Sequence, residues 1–210
     1  MGLVLYHYVH CPYCVRVRMA LGFLNLSYES RVVPYDDQKT PVDLIGVKML
    51  PILAFDRVPM KESLDIIRKL DGKDLLKNSS DISSAESFTK SVNNAVHSLA
   101  MPHWIHTQEF TPTSRDYFLK QKEAKRGPFK DLIAKAPVFI EELKPLFENL
   151  TGQLNPFFQS DEMRIQDIMI AAHLWGLYVV PEFQFPDEIH QYLQNVKKKC
   201  RFNYHQDYWS

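Results

Sequence analysis

The feature that most restricts the fold is a change of hydrophobic period near residue 77. Upstream of it short apolar runs alternate with amphipathic ones; downstream, nearly every apolar run has helical spacing. Leu3 to Tyr6 reads as a strand, Pro12 to Leu24 places Val17, Leu21 and Leu24 on one helical face, and Tyr28 to Val33 returns to a period of two. That is a β-α-β unit. The polar run Asp36-Asp37-Gln38-Lys39 precedes Thr40-Pro41, where Thr40 as N-cap and Pro41 as first helical residue predict a short helix ending at Gly46. Leu50-Pro51-Ile52-Leu53 and Val58-Pro59-Met60 flank Asp56-Arg57 as the two strands of a hairpin. Ser63 then caps a helix carrying Leu64, Ile66, Ile67 and Leu70, with Gly72 as C-cap. The predicted order is β-α-β-α-β-β-α.

The second part predicts helices only. Asn78-Ser79-Ser80-Asp81 is turn-like, Ser83 and Glu86 form a capping-box pattern ahead of Phe88, Val92, Ala95 and Leu99, and Thr113 with Asp116 repeats it in a weaker acidic form. Further helical stripes run through Val138, Leu143, Phe147 and Leu150, through Ile165, Ile168, Ala172 and Trp175, and through Ile189, Leu193 and Val196. Pro102, Pro112, Pro128, Pro137, Pro156, Pro181 and Pro186 divide them, with Pro137 and Pro145 leaving nearby boundaries open. The economical reading is an α/β module at 1–76, a linker at 77–83 and an all-α module at 84–210. There is no internal repeat.

Composition narrows the function. Lys plus Arg and Asp plus Glu both total 25 in 210 residues, so no overall field draws the chain to nucleic acid or to an anionic membrane. Three cysteines, at 11, 14 and 200, are too few to staple a secreted scaffold. The first residues lack the basic flank and long apolar stretch of a signal peptide, Tyr6 stands where myristoylation wants Ser or Thr, and no run of eighteen apolar residues exists. The expectation is a soluble, cytoplasmic protein with no membrane partner.

Cys11-Pro12-Tyr13-Cys14 follows the first predicted strand and stands at the mouth of the first predicted helix. There the helix amides and dipole stabilise a thiolate on Cys11, and Pro12 opens the helix without wasting a backbone donor. Cys14, one turn along, is near enough to form a disulfide with Cys11 or to resolve a mixed one. Two alternatives stand beside this redox reading. A structural zinc ion would need two more ligands, which His7 and His10 supply only if the helix start is distorted. Two merely packed thiols are the other, although a strand-to-helix turn with an aromatic between the cysteines is poor core material. Haem attachment fails, because Val15 rather than His follows Cys14. Tyr13 either forms a wall of a thiol-substrate groove or packs; Arg16 and Arg18 either support the thiolate or are solvated helix charges.

With these residues in hand the sequence resembles a glutaredoxin, whose dithiol motif is Cys11-Pro12-Tyr13-Cys14. Over essentially all 210 residues it is similar to the bacterial glutaredoxin 2 type, a thioredoxin-like domain followed by a helical domain like that of glutathione transferases. The strings Val47-Lys48-Met49-Leu50-Pro51-Ile52-Leu53 and Glu62-Ser63-Leu64-Asp65-Ile66 and the stretch from Tyr117 through Gly127 carry the likeness. The resemblance implies a cis Pro51 facing the redox centre, with Leu50 offering backbone hydrogen bonds to glutathione. It implies Glu62 on the γ-glutamyl ammonium and Ser63 with local amides on the carboxylate, which agrees with the anion preference of a helix start. On residues alone Ser63 is an N-cap and Glu62 its solvated neighbour. Lys48 pairs with the glycyl carboxylate or is a surface lysine. The implied activity is glutathione-dependent reduction of protein disulfides and of glutathionylated or small mixed disulfides. Glutathione is the reducing co-substrate, with no metal or flavin, and the chain is a monomer.

Rival readings remain. A conjugating transferase needs a Tyr or Ser donor to the glutathione thiol, for which Tyr6 and Tyr8 are formal candidates. A non-enzymatic module would bind glutathione or bridge an iron–sulfur cluster. Transferase-type helical domains carry Ser or Thr three residues before a buried Asp; Asp167 matches that Asp, but Arg164 holds the capping position, so the box is absent or replaced, with Ser160 and Asp161 as substitutes. Cys200, after three lysines, reads as structural, and the eight histidines show no metal spacing, with His7 and His10 placed to tune the cysteine turn.

Overall fold

The computed structural model describes residues 2–77 and 81–203; Tyr204, His205, Tyr208 and Trp209, and residues 78–80 of the expected turn and linker, lie outside them. The first part runs β1 (Leu3–His7), α1 (Pro12–Phe23), β2 (Glu29–Val32), α2 (Lys39–Ile45), β3 (Ile52–Phe55), β4 (Val58–Met60) and α3 (Ser63–Leu70), in the expected order. The sheet order is β2-β1-β3-β4. β1 and β2 pair in parallel because α1 crosses between them, whereas β1 with β3 and β3 with β4 are antiparallel. The β3–β4 turn holds Asp56 and Arg57 at φ 47° and 74°, the double left-handed backbone of a two-residue hairpin. Central β3 is buried along its whole length, while β2 is an exposed edge.

The second part is helical: α4 (Ser83–Trp104), α5 (Pro112–Arg126), α6 (Phe129–Ala134), α7 (Ala136–Thr151), α8 (Ile165–Leu174), a 3₁₀ turn (Trp175–Val179) and α9 (Asp187–Cys200). α4 is the axis against which α6, α7 and α8 pack. α1 lies on α3 on one side and on α8 and α9 on the other, so one continuous core runs from Leu3 to Phe202.

Several helix starts differ from the sequence expectation, three of them because an acceptor just upstream captures the cap. Asp37 takes the amide and hydroxyl of Thr40, so α2 begins at Lys39 and Thr40 lies inside it. Asp81 takes the amide and hydroxyl of Ser83, which becomes the first residue of α4, and the Glu86 amide goes to the Ile82 carbonyl rather than into a capping box. Thr111, not Thr113, caps α5 by accepting the Ser114 amide at 3.2 Å. Ser63 likewise is the first residue of α3, after Glu62, and Asp71 rather than Gly72 is its C-cap. Pro102 does not divide α4; it sits in the last turn, where losing one hydrogen bond interrupts least.

At α8 the acidic half of the capping box survives without a hydroxyl partner. Asp167 is fully buried and accepts from the Arg164 amide (2.7 Å), the Phe158 amide (2.8 Å) and the Tyr192 hydroxyl (3.0 Å). Ser160 bonds the Glu162 amide and caps no part of α8. Burial raises the Asp167 carboxyl to about 6, against the pull of these donors. Cys200 is buried at the end of α9, where its carbonyl approaches Gly22 of α1 so closely that a Cβ there would lie 1.9 Å from the oxygen.

Two outcomes follow from this packing. Gly22→Ala forces α1 and α9 apart and is expected to lower stability by about 1–3 kcal/mol or more, read from the urea midpoint. Burial lowers His7 and His97 to about 4 and His173 to about 3. Their unfolded values are near 6.5, so unfolding takes up protons and stability falls as pH drops through the window from about 6.5 to 4. Asp167 opposes by about one proton. The net uptake near pH 5 is expected to be about two protons, and His173→Gln reduces it by about one, measured as the pH slope of the unfolding free energy.

Candidate active site

Cys11 caps α1 in extended backbone (φ −73°, ψ 123°), Pro12 is the first helical residue, and the Val15 amide donates to the Cys11 carbonyl at 2.9 Å. The first amides of α1 thus open beside a half-buried sulfur. Cys14, one turn inside, is completely buried, and its sulfur accepts from the Tyr8 amide at 3.4 Å. Cys14, Val33, Leu50 and Ile52 form a small apolar cluster with Cys11 and Tyr8 against it, and the Leu50–Pro51 peptide is cis.

The two thiols are electrostatically unequal. Hydrogen bonding from Cys14 holds Cys11 well below the ordinary thiol range despite burial, with help from the His10 imidazole and the amides of Cys14 and Tyr13. Burial, then the Cys11 thiolate beside it, pushes Cys14 well above that range. The arrangement can present one nucleophilic thiolate and keep a second thiol protonated beneath it.

The turn before Cys11 is held from the helical part of the chain. The Glu109 carboxylate, its side chain 3% exposed, accepts from the Val9 amide (2.8 Å), the His10 amide (3.1 Å) and His10 Nδ1 (2.9 Å). His10 is packed among the rings of Tyr8, Tyr35, Trp104, Phe110 and Phe118. His7 faces the other way, with Nε2 2.8 Å from the Ser30 hydroxyl. The two histidines that a zinc site at the cysteines would need are therefore engaged elsewhere, and among the described residues no group of three or more metal-ligating side chains gathers.

Two clefts are walled by residues next to the thiol pair, one through Tyr13 and one through Tyr8 and Leu50. One, of about 570 Å³, is lined by Tyr13, Glu62 and Ser63 together with Arg16, Asn93 and His173. Tyr13 is half exposed there, with the Arg16 guanidinium 4.8 Å from its ring centre. Arg16 is not solvated and, among the described residues, makes no ion pair: it is 5% exposed, with Nη2 3.3 Å from His173 Nδ1. Glu62 adopts φ 68°, ψ 109°, a strained backbone for a non-glycine residue, and this sets the angle at which α3 presents Ser63 and its free first amides. The other cleft, of about 230 Å³, contains Lys48 and Leu50 with Tyr8, Tyr35, Tyr117 and Lys122. Lys48 Nζ donates to the Tyr35 carbonyl at 2.9 Å and lies 4.4 Å from the Tyr117 ring centre.

Tyr13, Glu62 and Ser63 thus share the wall of one cleft, and Lys48 and Leu50 that of the other. Sequence reasoning missed Glu109, Tyr35 and Lys122, whose roles arise only when α4 and α5 fold back over β1. The tyrosines proposed as thiol activators are poorly suited: Tyr6 accepts from Arg31 at 2.9 Å, and burial raises the Tyr8 hydroxyl above its ordinary range.

A family model for the glutaredoxin 2 C-terminal domain matches residues 84–208, and one for the glutathione S-transferase N-terminal domain matches residues 5–76. Glutaredoxin 2 of Escherichia coli K12 is 34% identical over 207 residues, covering 95% of this chain and 96% of the relative. A crystal structure of glutaredoxin 2 from Salmonella typhimurium in complex with glutathione superposes with a TM-score of 0.88 at 31% identity, over 98% of this chain and 97% of that one. A glutathione S-transferase of Ceriporiopsis subvermispora shares the fold, with a TM-score of 0.76 at 18% identity over 95% and 98% of the two chains. With a thioredoxin-like sheet, a helical second part and an unequal thiol pair at the start of α1, this chain belongs to the glutaredoxin 2 family.

Proposed function

We propose that the protein is a dithiol glutaredoxin, reducing protein disulfides and glutathionylated or small mixed disulfides at the expense of glutathione. The observation that carries this is the inequality of the thiols, one half-buried and acidified at a helix start, the other buried and held protonated. The Cys11 thiolate attacks one sulfur of the substrate; that S–S bond breaks, a Cys11–S bond forms, and the departing half takes a proton from solvent as a thiol. Where the half retained is glutathione, a second glutathione thiolate attacks its sulfur, restoring Cys11 and leaving as glutathione disulfide. Where it is a protein, Cys14 loses its proton, closes on Cys11 and expels the protein as a thiol. Two glutathiones then reopen the Cys11–Cys14 disulfide and depart as one oxidised molecule. All electrons come from glutathione, so the cycle calls for no flavin or metal.

In this reading Ser63 and the first amides of α3 hold the γ-glutamyl carboxylate, Glu62 the ammonium, and Lys48 the glycyl carboxylate. Leu50 offers backbone bonds beside Pro51, and Tyr13 walls the groove. The α/β module occupies 1–76, the linker 77–83 and the helical module 84–210, working as a monomer in the cytoplasm, where glutathione is kept reduced. Among the described residues no helix is long and apolar enough to cross a membrane. Glu109 enters as a positioning residue, fixing the turn and the imidazole that precede the nucleophile.

Glutathione-dependent reduction of a small mixed disulfide, coupled to glutathione reductase, is the direct test. Cys11→Ser is expected to abolish it, and Cys14→Ser to keep the monothiol route while losing reduction of intramolecular protein disulfides. An inactive parent that conjugates glutathione to a hydrophobic electrophile would reassign the protein as a transferase. His10→Phe, which keeps a ring in the same nest but removes the imidazole that favours the Cys11 thiolate, is expected to raise the pH midpoint of Cys11 alkylation by iodoacetamide, by up to about 1 pH unit; an unchanged midpoint leaves the imidazole a purely packing role.

A further inference from the structure

We infer that the cleft between the Leu50 turn and α5 is an anion subsite that reads carboxylates flanking the cysteine of a protein substrate, an inference that rests on the oxidoreductase reading above. Its charge is one-sided. Lys48, Lys122 and Lys125 line it with Tyr8, Tyr35 and Tyr117, and no Asp or Glu is part of the wall. Among the described residues none of the three lysines has a carboxylate within ion-pair distance. The opposite cleft is mixed, its Arg68 being paired with Asp65 at 2.6 Å and Glu62 and Glu86 adding negative charge.

The cations are gathered rather than scattered. Lys48 and Lys122 place their ammonium groups 5.1 and 5.6 Å from the centre of the same Tyr35 ring, and Lys122 also lies 5.4 Å from that of Phe118. Lys122 is half-buried, and burial together with Lys125, Arg126 and Lys48 disfavours its charged form, opposed by the Cys11 thiolate. Ammonium groups crowded and partly desolvated without a counterion raise the energy of the free protein, and a bound anion relieves that. The influence of Cys11 on Lys122 puts the cleft within electrostatic reach of the nucleophile.

One glycyl carboxylate on Lys48 does not account for such a wall. Lys122 and Lys125 come from α5, in the helical part, and are left for a different anion. Glutathione, with its γ-glutamyl end at Glu62 and Ser63 and its glycyl carboxylate on Lys48, leaves the α5 side of the second cleft, Lys122 and Lys125, to acidic residues beside the partner's cysteine. The fold thereby divides the work: the α/β module recognises glutathione, and α5 selects the protein half.

The test uses two peptides of equal length with a single cysteine, one flanked by Asp and Glu and one by Ser and Gln, each as its glutathione mixed disulfide. The parent is expected to prefer the acidic peptide at low ionic strength and to lose the preference in 0.5 M salt, on the order of what Debye screening removes. In the double variant Lys122→Gln, Lys125→Gln, checked for native circular dichroism, the acidic-to-neutral ratio of kcat/KM is expected to fall at least about tenfold. Calorimetric binding of the same peptides with S-methylated cysteine reads the subsite without turnover. If the parent reduces neither peptide yet binds the acidic one, and the double variant does not, the subsite stands and the oxidoreductase reading falls. An unchanged ratio overturns the inference, as does an equal loss on both peptides. A raised KM for glutathione at constant ratio also overturns it, assigning the lysines to a second glutathione.

Discussion

The reactive turn of this protein is held by a carboxylate from the other half of the chain. Glu109 lies about a hundred residues from Val9 and His10, yet takes both of their amides and the His10 ring in a site almost closed to water. Two backbone donors that would otherwise be buried unpaired, and an imidazole within a nest of five rings, are satisfied by one side chain. The fold that brings Glu109 there also packs α1 against α8 and α9. The helical part is therefore a structural component of the thiol centre rather than an appendage to it.

From that anchored turn the inequality of the thiols follows. Cys11 stands where the helix begins and polar groups converge; Cys14 is one turn deeper, among Val33, Leu50 and Ile52. A spacing of three residues at a strand-to-helix turn thus gives two different chemistries to identical side chains. The surrounding clefts are unequal too, one of mixed charge and one wholly cationic, so that each end of a mixed disulfide meets a different surface.

The sequence made the order of elements legible because hydrophobic period and turn residues act locally: the β-α-β-α-β-β-α order, the Asp56-Arg57 hairpin and the Gly46 helix end all stand as expected. The helix starts were less legible, since several acceptors compete within two or three residues, and Asp37, Asp81 and Thr111 each displaced the residue that patterning favoured. The cysteine pair was evident because its chemistry is contiguous. Glu109, Tyr35 and Lys122 were not, because nothing in local spacing reports which distant side chain a folded helix turns toward. Arg16 shows the same limit in reverse: its position in α1 left open whether it supports the thiolate or is a solvated charge, and only the approach of α8 makes it buried.

The contact between Gly22 and the Cys200 carbonyl has a consequence for synthesis. Val17 and Leu21 of α1 are completely buried in a core that includes α8 and α9, and the last helix to reach α1 is α9, which ends at Cys200. A ribosome making this protein from its first residue exposes both reactive cysteines early and supplies the surface that completes their helix last. Contacts of such long sequence separation are slow to form. For much of its translation the nascent chain can cover Cys14 only with Val33, Leu50 and Ile52 of the first part, while the turn before Cys11 waits for the Glu109 anchor that arrives with the helical part.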